Sequence, residues 1–175
     1  MKYSFENFYV NMNNKQAFFA ARNVAEHLGD TENPLYIYGG TQTGKTHILH
    51  SIEQYLHQHK QYLSVVRVTT YEFEDDVLNF IRSNRKDVTA KFRRKYRNAD
   101  VLLIDDIQEL ANKTAGTMEF INIFNALYET SGQIIITGNA SLKEMQEKGL
   151  SETLVSRLGW GKVVEIPSDL QYTVK

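Results

Sequence analysis

Eight consecutive residues, Gly39-Gly40-Thr41-Gln42-Thr43-Gly44-Lys45-Thr46, fit the pattern GxxxxGK[ST]. In that pattern a glycine-rich turn aims backbone N–H groups at phosphate oxygens. The positive end of the following helix adds to the field. The chemistry is the holding of a di- or triphosphate: Lys45 reaches the terminal phosphates and the Thr46 hydroxyl ligates Mg²⁺. The expected nucleotide-contacting residues are therefore Gly39, Gly40, Thr41, Gln42, Thr43, Gly44, Lys45 and Thr46, with His47 next along. Sixty residues beyond Lys45, the apolar run Val101-Leu102-Leu103-Ile104 ends in Asp105-Asp106. Paired acids after a strand are often only a solvated strand end. Downstream of a phosphate loop they form the second half of the site: Asp105 is expected to hold Mg²⁺ through water, and Asp106 to polarise an attacking water.

Three further groups have weaker signatures. Ile136-Thr137-Gly138-Asn139 places polar side chains at the end of a strand adjacent to the phosphate loop, where they either sense a terminal phosphate or simply make a turn. Arg157 is a lone cation near the end of a short helix, the position of an ordinary helix-terminal or surface-paired arginine. His47 and His50 lie three apart on a helix, but zero cysteines and no clustered ligands argue against zinc.

These residues need a scaffold that brings them together. Helical spacing of Phe18, Ala21, Ala25 and Leu28, with Gly29 following, predicts a helix over 14–28. Asn33-Pro34 breaks the chain before a short buried strand, 35–38, that runs into the glycine loop. A helix follows, marked by Ile48, Leu49, Ile52 and Leu56, with His57, His59 and Lys60 in its last turn. Then come a strand over 64–69, a helix over 70–82, a basic segment, a strand over 99–105 and a loop opened by Leu110. A helix striped by Phe120, Ile123, Phe124 and Leu127 leads to strands over 133–137 and 163–166. Strands alternating with helices imply a parallel sheet covered on both faces. Trp160 and the other aromatics are expected in the core.

The chain has 175 residues, 42% hydrophobic and 23% charged, with a net charge of −1. That length and composition imply one soluble domain spanning 1–175 and no disulfide framework. No apolar run approaches the ~20 residues of a membrane span. The N-terminus lacks the apolar core of a secretory signal, so a cytoplasmic location is expected. Residues 82–97 carry eight of the twenty Lys and Arg. Phe92 and Tyr96, four apart, share one helical face among those charges, so the segment is either a nucleic-acid surface or the wet side of a helix.

Taken together, Tyr3-Ser4-Phe5-Glu6-Asn7-Phe8, Asn33 to Gly40, Lys95 to Gln108, Phe124-Asn125-Ala126-Leu127 and Ser156-Arg157-Leu158-Gly159-Trp160-Gly161 resemble the AAA+ ATPase domain of the bacterial replication initiators of the DnaA family. The resemblance covers nearly the whole chain. It implies an α/β P-loop NTPase fold, a three-layer sandwich around a five-stranded parallel sheet of order 5-1-4-3-2, with residues 70–97 matching an initiator-specific helical insertion. It implies ATP or ADP with Mg²⁺ as ligands and an ATP-controlled switch in replication initiation, in which subunits self-associate or meet other DnaA-type subunits on origin or single-stranded DNA. Hydrolysis would be slow and would need a neighbouring subunit, because Arg157 matches the family's arginine finger, which acts in trans. Asn139 falls at the family's sensor position.

The match has departures. The chain stops at Lys175, before the family's lid subdomain and DNA-reading domain. Glu74 and Ala115 stand where initiators commonly present an apolar and a basic residue to single-stranded DNA, and Thr153 replaces a frequent arginine. Ile136-Thr137-Gly138 and Ser156-Arg157-Leu158 are also similar to Hda, a short regulator that stimulates the initiator's hydrolysis without binding DNA. An Hda-like regulator is therefore the alternative expectation.

Overall fold

A computed structural model describes residues 3–29, 32–83 and 85–168. The expected domain limits at 1 and 175 lie outside the described residues. In chain order the elements are α1 (Lys15–Glu26), β1 (Leu35–Gly39), α2 (Lys45–His59), β2 (Val65–Thr69), α3 (Thr70–Arg82), α4 (Lys86–Arg97), β3 (Val101–Asp105), α5 (Thr114–Glu129), β4 (Gln133–Gly138), α6 (Leu142–Glu147), α7 (Glu152–Leu158) and β5 (Lys162–Ile166). Short 3₁₀ turns occupy Phe5–Asn7 and Ile107–Leu110. The sheet runs β2-β3-β4-β1-β5, the expected order read from its other edge. Each neighbouring pair is parallel.

Strand alternation divides the core in two. Leu35, Ile37, Val101, Leu103, Ile135, Val164 and Ile166 join the buried faces of α1 and α2. Tyr36, Leu102, Ile104, Ile134 and Ile136 join α3 to α7 on the other side. Because both faces of β3 and β4 are covered, their sequences read as nearly unbroken apolar runs. Parallel pairing brings every strand's carboxyl end to one edge of the sheet, the usual place for a ligand in such folds.

Residues 70–97, expected to be an insertion, form a helical pair. Thr69 caps α3 by accepting from the Glu72 N–H, and Glu72 accepts in turn from the Thr69 N–H at 2.7 Å. On α4, Phe92 stacks on Phe80 with ring centroids 4.6 Å apart, and Tyr96 meets Phe73 edge-on at 5.3 Å. Tyr96 also donates to Asp76 at 2.7 Å. Burial first, and then the Asp76 carboxylate, push this phenol far above the usual tyrosine range. The aromatic face of α4 is thus inside, and most of its cations face water.

Three expectations need correction. The third strand begins at Val101, not 99. Asp100 caps β2 instead, accepting from the Ser64 N–H at 2.7 Å while donating its own N–H to the Ser64 carbonyl at 2.9 Å. The first helix ends at Glu26, and Gly29 follows with φ of +79°. Trp160 is not a core residue: it is 51% exposed, and Phe19, Tyr9, Tyr62 and Tyr71 are more exposed still. Large aromatic side chains attached to turns and to outward helix faces have no sheet to cover, whatever their hydrophobicity.

Candidate nucleotide site

β1 ends at Gly39 and α2 begins at Lys45, so the loop between them lies at the carboxyl edge of the sheet. Its backbone requires glycine at two points. A Cβ on Gly39 would sit 2.3 Å from the Ile166 carbonyl oxygen of β5, so only hydrogen fits where the two strands close. Gly44 has φ of +97° and lies under the Phe8 ring, 3.0 Å from where a Cβ would be. Gln42 also has a positive φ, 61°. Such left-handed residues turn successive N–H groups into a concave anion cradle.

The Lys45 side chain is buried against this loop. Its ammonium donates to the carbonyls of Gly39 at 2.8 Å and Gly40 at 2.6 Å, and to the Thr43 hydroxyl at 3.4 Å, which accounts for all three of its N–H groups. Thr43 in turn donates to the Gly40 carbonyl at 3.0 Å. Burial lowers the Lys45 pKa, and the Asp106 and Asp105 carboxylates partly oppose it. Both acids therefore lie close enough to act on the cation.

Asp105 ends β3 at 4% exposure, held by hydroxyls from two other elements. Thr46 donates to its Oδ2 at 2.7 Å, and Thr137 of β4 donates to its Oδ1. The Thr137 oxygen also accepts from the Asp106 N–H at 3.1 Å, so one hydroxyl aligns both members of the acidic pair. Asp106 adopts φ of 61° and ψ of 53°, a left-handed conformation that costs most residues about 1–2 kcal/mol and that aspartate tolerates better than most. This turn carries the chain sharply off β3. Its carboxylate Oδ1 accepts from the Gln108 side-chain amide at 3.0 Å.

The donor set suits Mg²⁺. Hard oxygens from one hydroxyl and one carboxylate, already in contact, are what that ion takes when phosphates and waters supply the rest of its shell. Among the described residues no cluster of three or more His, Cys, Asp or Glu is placed to hold a metal on its own.

Beside the loop lies a cleft of about 450 Å³, within the size range of ligand pockets. Thr41, Gln42, Thr43, Gly44 and His47 form one wall, and Asn7 to Tyr9, Asn11, Asn13, Asn14 and Ile166 to Ser168 form the rest. Sequence reasoning placed no ligand-facing residue before Gly39. The signal was the asparagine run: Asn11 Oδ1 accepts from the Asn13 and Asn14 N–H groups, and the Asn14 amide donates to the Tyr9 carbonyl at 2.9 Å. These side chains tie the segment into a fixed turn, as asparagines in turns commonly do. His47 fixes the same segment. Its Nε2 lies 3.1 Å from the Ser4 carbonyl and 3.0 Å from Asn7 Oδ1, and its ring meets Phe8 edge-on at 4.9 Å. His50, one turn later on α2, lies outside the cleft lining; burial and the Arg67 cation hold its imidazole below the ordinary range.

Asn139 follows β4 directly, on the strand between β1 and β3, and is exposed. Arg157 is on α7, whose buried Leu154 and Leu158 belong to the α3-to-α7 half of the core. It bonds there to Asn125 of α5 at 2.7 Å. The loop, Thr46 and the acidic pair are thus assembled in one place, Asn139 borders them, and Arg157 is held on a separate helical face.

The profile of the family described as the bacterial DnaA ATPase domain matches residues 1–165. The chromosomal replication initiator protein DnaA of Limosilactobacillus reuteri is 45% identical over 170 residues, which is 97% of this chain and 38% of that protein. The chain therefore spans well under half the length of that relative. Domain III of the Thermotoga maritima replication initiation protein DnaA superposes with a TM-score of 0.88 at 37% identity, covering 95% of this chain and 68% of that one. A replication initiator DnaA bound to AMPPCP and single-stranded DNA gives 0.88 at 34%, covering 96% and 50%.

Proposed function

Since the chain belongs to the bacterial DnaA ATPase-domain family, we propose that it is an ATP-controlled switch in replication initiation whose subunits associate through their nucleotide. The observation that carries this reading is the joint anchoring of Lys45, Thr46, Asp105 and Asp106 around one loop at the sheet's carboxyl edge. Lys45 holds the terminal phosphates, and Thr46 and Asp105 hold Mg²⁺, which when bound supplies charge neutralisation at the phosphates. The base and sugar enter the cleft under the asparagine turn. Asp106 orients the water, its Oδ2 accepting the proton while Gln108 steadies Oδ1. Asn139 reads the terminal phosphate from the neighbouring strand end. Arg157, on its separate face, serves the nucleotide of an adjacent copy, so an isolated subunit turns over slowly: an arginine supplied in trans contributes about 10³–10⁵ in related phosphoryl transfers.

The test of the site is Lys45→Ala, for which titration calorimetry is expected to detect no ATP or ADP binding. Unchanged affinity would overturn the assignment.

A second reading, a regulator that contacts other DnaA-type subunits without touching DNA, is favoured by one observation. Glu74 on α3 pairs with Lys113 just before α5, placing an acidic group between the insertion and α5, and Ala115 beside it is a small exposed residue. Single-stranded oligonucleotide binding with MgATP and MgADP, across a salt series, separates the two readings. Binding that requires ATP supports the switch on DNA, and none under either nucleotide at low salt supports the regulator.

A further inference from the structure

We propose that Asn125 and Trp160 are positioning residues that hold the Arg157 guanidinium in one orientation for the phosphates of a nucleotide carried by a second copy of this chain. The proposal rests on the in-trans reading of Arg157 and names the groups that make it work. Arg157 Nε donates to Asn125 Oδ1 at 2.7 Å, and Nη1 donates to the Thr153 carbonyl one turn earlier on α7 at 3.1 Å. Two of the five guanidinium N–H groups are thus spent within the subunit. The other three, on Nη1 and Nη2, remain as a fork of the kind that meets phosphate oxygens in pairs.

The third constraint is the indole. Arg157 Cζ lies 5.5 Å from the Trp160 ring, within the range of a cation–π contact. Trp160 is itself wedged edge-on against Phe124 at 5.9 Å and Tyr128 at 5.2 Å. Phe124 is fully buried, so the platform under the cation is fixed to the core although the indole is half exposed. An arginine on a solvated helix face ordinarily samples many rotamers, and ordering it costs entropy each time it engages a ligand. Here α5 supplies an acceptor, α7 a carbonyl and the following turn a ring, so most of that ordering is complete before a partner arrives. An ion pair would hold the side chain as firmly. A neutral amide does so without cancelling the charge that the phosphates are to meet.

The test pairs two subunits, each defective in a different part. Arg157→Ala chains keep a complete phosphate loop and lack the finger, whereas Lys45→Ala chains keep the finger and bind no nucleotide. Mixed, they are expected to restore ATP turnover that neither shows alone. Replacing the donor by Lys45→Ala/Asn125→Leu is expected to lower the restored kcat by about tenfold to a hundredfold, the upper end being the loss that a 1 Å misplacement produces. The KM for ATP should not move, since the acceptor's own site is intact. Asn125→Asp in the donor keeps the acceptor oxygen but pairs the cation with a carboxylate, so it should hold the side chain and still restore less turnover than the parent donor. Restoration by the Leu donor equal to that by the parent donor would overturn the proposal. Arg157→Ala chains that alone turn over like the parent would instead remove the in-trans reading. A second readout needs no assembly. Trp160 is the single tryptophan, and a guanidinium beside it concentrates iodide at the ring. In Asn125→Leu the iodide quenching constant should fall while that of neutral acrylamide holds, and unchanged iodide quenching would show that Asn125 does not hold Arg157.

Discussion

Replacing Thr137 by valine tests whether one buried hydroxyl organises the acidic pair. Thr137 is fully buried on β4, donates to Asp105 Oδ1 and accepts from the Asp106 N–H at 3.1 Å. Valine has nearly the same shape and neither function. It leaves a buried carboxylate oxygen and a partly buried N–H without their partner. Each such orphan costs about 1–3 kcal/mol, more when charged, so the variant should lose about 2–6 kcal/mol. For a domain of this size that is about 4–24 °C in melting temperature. Serine keeps the hydroxyl and gives up one methyl group, about 1 kcal/mol. The assay is thermal unfolding of parent, Thr137→Ser and Thr137→Val without nucleotide, followed by nucleotide titration in Mg²⁺ and in EDTA. With Asp105 unmoored, the gain in affinity that Mg²⁺ confers should shrink about tenfold in the valine variant, a loss of ~1.4 kcal/mol, and persist in the serine variant. Equal melting temperatures for Ser and Val would refute the reasoning, because the hydroxyl would then contribute nothing that the methyl does not.

Three other outcomes follow from the same geometry. Gly39→Ala places a methyl 2.3 Å from the Ile166 carbonyl, so β5 must shift; overpacking of this kind costs about 1–3 kcal/mol, and calorimetry should show weaker nucleotide binding together with a lower melting temperature. Glu72 has a lowered pKa, first from the Thr69 N–H and then from its hydroxyl, so its contribution is complete above the ordinary glutamate value of 4.5 and is lost as pH falls through the lowered one. Glu72→Gln should therefore be less stable than the parent by a few tenths to about 1 kcal/mol at neutral pH, and urea midpoints of the two should converge in acid; a difference that stays constant with pH would contradict the cap. Asn139→Ala should leave ATP affinity intact and slow turnover of associated subunits by about 10²-fold, the lower end of the loss seen when an oxyanion-facing donor is removed, and single-turnover kinetics would separate the two effects.

The phosphate loop was legible because its chemistry needs a contiguous run. Gly39 to Thr46 must approach one ligand with successive backbone groups, so the sequence carries the pattern without gaps. The sheet was legible for a related reason: strands buried on both faces, such as 101–105 and 133–138, leave no room for polar residues except at their ends. The partnership of Thr137 with the acidic pair was hidden by the same rule, since one polar residue closing an apolar run looks like a strand end. Only the parallel register, which pairs Ile104 with Ile136, brings the next residue of each strand together as Asp105 and Thr137. The asparagine turn was missed because Asn11 to Asn14 lie some 25 positions or more before the loop they flank, and turn chemistry is short-ranged. Trp160 was misplaced because hydrophobicity predicts burial only where an element presents the side chain to a neighbour.

Arg157 shows where a sequence motif stops and geometry begins. A lone cation on a short helix carries no information about what it faces, and by itself it is an ordinary surface arginine. The fold places its helix on the α3-to-α7 side of the sheet, whereas α2, which follows the phosphate loop, packs on the other side. The ordinary explanation predicts a solvated side chain with a carboxylate nearby. The structure instead gives it a neutral amide, a carbonyl and an aromatic ring, partners that fix its direction and leave its charge unneutralised. A cation oriented and, among the described residues, without a carboxylate partner is suited to an anion that arrives from outside the subunit, and in the function proposed above that anion is the nucleotide of the next copy. On that proposal the single-subunit site and the oriented arginine are two halves of one device, which association of copies, not folding alone, would complete.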